Sequence, residues 1–103
     1  MPSNQPDLPT SPTDMAIADL AQRLDVDPDG IEVVSVDEVT WPDGGLGCPE
    51  PGMMYTQALV DGSRIVLRAD GIRHEYHSGG SRDPFYCPPA RVQPPTGGRD
   101  IDT

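Results

Sequence analysis

Between Trp41 and Gln57 the chain reads W-P-D-G-G-L-G-C-P-E-P-G-M-M-Y-T-Q. Gly44, Gly45, Gly47 and Gly52 are joined there by Pro42, Pro49 and Pro51. Glycine opens left-handed backbone, whereas proline fixes φ and removes a donor. A segment so rich in both is neither helix nor strand. It reads as a long irregular loop of definite shape, and ordered loops on a scaffold are where function concentrates. The chain's one Trp and one of its two Cys also fall in this stretch.

The segments around the loop predict an α+β domain. Ser11-Pro12-Thr13-Asp14 has a capping residue, a proline suited to the first helical position and an acid in the first turn. Ile17, Leu20, Ala21 and Leu24 then follow the apolar stripe of an amphipathic helix over 12–24, which Pro28 prevents from running on. Residues 31–39 are rich in β-branched side chains and read as a strand. After the loop, the runs 55–60, 63–69 and 72–77 are separated by Asp61-Gly62 and Asp70-Gly71, two hairpin signals. The expectation is one helix packed on a small antiparallel meander of three or four strands.

With two-residue turns at both places, Thr56, Ala58, Val60, Ile65, Leu67, Ala69, Ile72, His74 and Tyr76 share the core face. Tyr55, Gln57, Leu59, Arg64, Val66, Arg68, Arg73, Glu75 and His77 form the other, polar face. Residues 1–10 and 88–103 are Pro-rich and nearly free of large apolar side chains, so both read as disordered tails around a single domain over 11–87.

At 103 residues and a net charge of −10, the chain repels phosphate backbones and anionic membrane surfaces, which excludes nucleic acid as an expected partner. No apolar run is long enough to span a bilayer. The N-terminus as given has no charged and apolar leader, which points to the cytoplasm unless a leader has been removed.

Chemistry-bearing residues are few. Asp25-Val26-Asp27-Pro28-Asp29-Gly30 resembles the start of a calcium loop, but the twelfth position is Val36 where a bidentate Glu is needed. It reads better as a tight turn with Gly30 at positive φ. His74 and His77, three apart on a strand, point to opposite faces and do not chelate one ion, so neither a metal nor a cofactor is expected. Cys48 and Cys87 bracket the meander, and a bridge would pin the loop to the chain end. Without a leader, free thiols stay an equal alternative. A Cys nucleophile with His77 as base is a third reading, though no family signature surrounds it.

The candidate contact residues are Trp41, Asp43, Leu46, Glu50, Met53, Met54 and Tyr55. They fit a non-catalytic binding module whose rigid loop meets another protein with an apolar surface and a basic rim. The alternative is a protease or hydrolase inhibitor presenting the same loop, since preorganisation lowers the entropy cost of binding.

From about Asp19 to Cys87 the chain resembles a family of small prokaryotic domains of unassigned function. The resemblance rests on D-L-A-Q-R-L at 19–24, W-P-D-G-G-L-G-C-P-E-P-G-M-M-Y-T-Q at 41–57, R-I-V-L at 64–67, Y-H at 76–77 and F-Y-C at 85–87. It implies occurrence in exported proteins or lipoproteins, which favours a Cys48–Cys87 disulfide. It implies no catalytic residues.

Overall fold

The computed structural model describes residues 11–95, 97 and 98. Helix α1 (Pro12–Leu24) starts where the side-chain oxygen of Ser11 accepts the Asp14 N–H at 3.0 Å. It ends because Asp25 enters the left-handed region at φ 57. The Asp25 N–H then bonds the Gln22 carbonyl and the Val26 N–H the Ala21 carbonyl, the pairing that satisfies terminal helix carbonyls. Asp27 accepts the Asp29 N–H in the short 3-10 turn Pro28–Gly30, so the Asp-rich stretch is a connector. Gly30 does not take the positive φ expected of it.

A sheet of order β4-β3-β2-β1-β5 follows: β1 (Glu32–Trp41), β2 (Val60–Ala69), β3 (Ile72–Gly79), β4 (Arg82–Cys87) and the two-residue β5 (Gly97–Gly98). All neighbours are antiparallel. The first four strands form a meander with α1 packed on one face. Asp70-Gly71 is a two-residue turn as expected, with φ of 53 and 78. The register Ala69↔Ile72, Leu67↔His74 and Ile65↔Tyr76 holds.

Asp61-Gly62 is not a turn. Both residues lie inside β2, opposite Thr40 and Val39. The glycine is required because β2 and β3 approach closely there: a Cβ on Gly62 would stand 2.7 Å from the Gly79 Cα and overlap the Ser78 carbonyl. Glycine in a strand interior marks such an approach as readily as a turn. Consequently 55–60 is not a strand apart from Val60, and Thr56 and Ala58 are exposed rather than in the core. The meander's remaining strand is β4, whose Pro84 is tolerated because β4 is an edge.

The core under α1 is Ala16, Leu20, Ala21, Ile31, Ile65, Leu67, Ala69 and Tyr76, with Ile17, Val26 and Tyr86 packed against it. Leu24 is 37% exposed and outside it, and Ala16 joins Leu20 and Ala21 in the buried stripe. Ile72, at the hairpin tip, is 61% exposed. The buried Tyr76 hydroxyl donates to Asp19 at 2.6 Å, and Arg23 bonds the same carboxylate oxygen. Burial, then the bond to Asp19, raises the Tyr76 hydroxyl above its ordinary pKa. Burial pushes the Asp19 carboxyl up, but the bonds from Tyr76 and Arg23 outweigh it and leave it lowered.

Residues 88–95 and 97–98, expected in the C-terminal tail, are engaged with the domain. They supply a 3-10 turn at Pro89–Arg91 and the β5 pairing Val39↔Gly98 and Thr40↔Gly97. Residues 1–10, 96 and 99–103 lie outside the described residues.

Candidate functional site

The 41–57 loop folds back over the sheet face opposite α1. That face is therefore not simply polar. At one end it holds a second core of Val39, Trp41 and Leu46, flanked by Val60 and Phe85. The Trp41 ring stacks on His77 with centroids 4.5 Å apart, and its Nε1 donates to the Ser78 carbonyl at 2.9 Å. His77, expected to point outward to solvent, is instead wholly buried beneath the loop.

Its two ring nitrogens are both engaged. Nδ1 lies 2.7 Å from the Leu46 carbonyl and Nε2 2.7 Å from Glu75 Oε1. Both partners, a backbone carbonyl and a carboxylate, are acceptors. Glu75 in turn receives Arg64 through Nε at 3.0 Å and Nη2 at 3.3 Å. Burial pushes the Glu75 carboxyl up, but the bonds from His77 and Arg64 prevail and hold it at about 2. This chain of contacts runs from β2 through β3 to Leu46, a non-glycine at φ 53 in the middle of the loop.

A disulfide and several hydrogen bonds further fix the loop. Cys48 and Cys87 form a disulfide with Cα atoms 5.8 Å apart, joining the loop to the end of β4. Arg91 donates to the carbonyls of Pro49 and Cys48 at 3.2 and 3.3 Å, and the Gln93 N–H to that of Gly47 at 2.8 Å. Asp43 accepts the Gly45 N–H at 2.8 Å. Finally, the Glu50 N–H donates to the Tyr55 hydroxyl at 3.0 Å, and the Gly44 N–H to the Thr56 carbonyl at 2.9 Å. The tip turns at Glu50–Met53, where Pro51 and Gly52 (φ 83) occupy the central positions and the Met53 N–H reaches the Glu50 carbonyl.

The residues singled out in the sequence thus divide in two. Trp41, Leu46 and Cys48 are buried and form the underside, while Asp43 and Tyr55 are half-buried and bond within the loop. Glu50, Met53 and Met54 stand on the outside, Met53 at 57% and Met54 at 93% exposure, and Leu59, also exposed, joins them. Sequence reasoning missed Leu59 because it was assigned to a strand. It missed Arg91 and Gln93 because their stretch looked like a tail, and no local signal marks them. The proposed pairing of a Cys nucleophile with His77 has no thiol to supply it, since both sulfurs are bridged. His74 is on the α1 face near Tyr86, away from His77.

Fold and site together define a small disulfide-bridged α+β domain that presents a multiply anchored loop. The chain belongs to the family described as Domain of unknown function (DUF8738), whose model matches residues 13–87. Neither a curated protein nor a solved structure matches the chain. Among the described residues, no helix is long and apolar enough to cross a membrane.

Proposed function

We propose that this domain is a non-catalytic binding module whose 41–57 loop, continued to Leu59, meets another protein. The observation that carries the reading is a contrast within the loop. Its underside is fixed by the disulfide, the Trp41–His77 stack and the clamps from Arg91 and Gln93. Its outer surface presents Met53, Met54 and Leu59 to solvent. Large apolar side chains on a preorganised backbone suit an interface, because little ordering entropy remains to be lost on association. Glu50 beside them, on a chain of net charge −10, suits a partner with an apolar cleft and a basic rim. The buried bridge suits an oxidising compartment.

The test uses protein carrying 13C-labelled Met methyl groups, titrated with fractionated host proteins. The Met53 and Met54 signals should shift or broaden while Met15 stays put, and Met54→Asp should abolish the response. Signals unchanged across all fractions would overturn the reading. Backbone order parameters near 0.85 over residues 44–52 are expected; values below about 0.6 would remove its physical basis. One observation favours the inhibitor as a second reading: residues 53–59 are irregular, exposed except for the half-buried Tyr55, and close in sequence to the bridge at Cys48. Inhibition of a protease panel that Met54→Asp abolishes would select it.

A further inference from the structure

We propose that Met53 and Met54 form an oxidation site that switches the loop's contact surface from apolar to polar, an inference that rests on the binding reading above. Among the described residues there are no free cysteines. Trp41, the chain's one indole, is fully buried under the loop. Met15 is half-buried on α1. Met53 and Met54 remain, adjacent in sequence and at 57% and 93% exposure the most open thioethers described. Susceptibility of a thioether follows its access to solvent, and the product is a polar, chiral sulfoxide.

Place in the fold decides the consequence. No described core cluster includes either methionine. The bonds that hold the loop run through Gly44, Leu46, Gly47, Cys48, Pro49 and Glu50, and the one that involves Met53 uses its backbone N–H. Oxidation therefore leaves the framework intact and changes only the surface offered to a partner. The oxidant is hydrogen peroxide. The thioether sulfur attacks one peroxide oxygen, the O–O bond breaks, sulfur gives up two electrons, and the other oxygen leaves as water with the transferred proton. A sulfoxide reductase drawing on a dithiol reverses the change, releasing the oxygen as water and leaving the dithiol as a disulfide.

The experiment treats the full chain with graded hydrogen peroxide and reads each methionine by fragment-ion mass spectrometry. Retention on a phenyl-substituted resin serves as the probe of apolar surface. Met54 and Met53 should oxidise several-fold faster than Met15, with the thermal midpoint unchanged. Retention should fall to that of Met53→Gln/Met54→Gln, and reductase should restore it. Met53→Leu/Met54→Leu should keep its retention under peroxide. Oxidation of Met15 as fast as Met54, a lowered thermal midpoint, or unchanged retention would overturn the inference. A host partner that binds the oxidised and reduced forms equally would overturn it while leaving the binding reading intact. Absence of any partner for the reduced form would overturn the binding reading and leave the selectivity of oxidation measurable.

Discussion

Gly47 lies against the face of Trp41 so closely that a β-carbon at position 47 would stand 2.7 Å from Trp41 Cε3 and 2.9 Å from the Gln93 carbonyl. Its φ of 71 adds a backbone demand to the steric one. Gly47→Ala should therefore cost about 2 to 4 kcal/mol, as strain and displacement of the indole combine. Gly52 has a similar φ of 83 but faces open space, so Gly52→Ala should cost only about 1 kcal/mol. Urea unfolding of the two variants tests this; equal losses would mean that the indole contact contributes nothing.

The two Asp-Gly pairs should respond in opposite proportion to their turn propensity. Gly71→Ala meets no atom within 4 Å and has only its φ of 78 against it, a loss of about 1 kcal/mol. Gly62→Ala collides with β3 backbone, which cannot move like the end of a side chain, so its loss should reach about 3 kcal/mol or more. Chemical unfolding of both variants is the check, and a tolerated Gly62→Ala would contradict the strand register.

Leu20 is fully buried in the core, whereas Leu24 is more than a third exposed. Leu20→Ala should lower stability by about 2 to 4 kcal/mol and Leu24→Ala by less than about 1 kcal/mol. A reversed order would mean that α1 docks through its last turn.

Glu75 has a folded-state pKa of about 2, below its ordinary 4.5. A depressed carboxyl pKa contributes stability that is fully present above the unfolded value and is lost as pH falls through the folded one. Stability should thus decline from pH 4.5 toward pH 2 as the bonds to His77 and Arg64 are given up. Glu75→Gln should be less stable at neutral pH and should show a flatter decline over that window. Parallel pH profiles for the two proteins would dissociate Glu75 from acid stability.

Shortening the chain to residue 87 should lower the thermal midpoint by several degrees. It deletes the Arg91 bonds to Pro49 and Cys48, the Gln93 bond to Gly47 and the β5 pairing. Arg91→Ala should reproduce part of the loss and speed amide exchange in the loop. An unchanged midpoint would show that these bonds add nothing net.

Local chemistry made part of this protein legible in its sequence. The helix limits followed from Ser11, Pro12 and the apolar spacing, the Asp70-Gly71 hairpin from two residues that accept positive φ, and the irregular loop from its glycines and prolines. These depend on neighbours a few residues apart, and short-range sterics settle them. Tertiary contact decided the rest. Asp61-Gly62 has the same letters as a turn, yet its glycine serves a close approach to Ser78 and Gly79, distant in the chain. His77 has the alternation of an outward residue but is covered by Leu46 of a loop 31 residues earlier in the chain. Arg91 and Gln93 sit in a stretch with tail-like composition and gain their role only once the fold sets them beside Gly47 and Pro49, next to the Cys48–Cys87 bridge. Burial of a polar side chain is decided by what packs over it, and that packing exists only once distant segments have met.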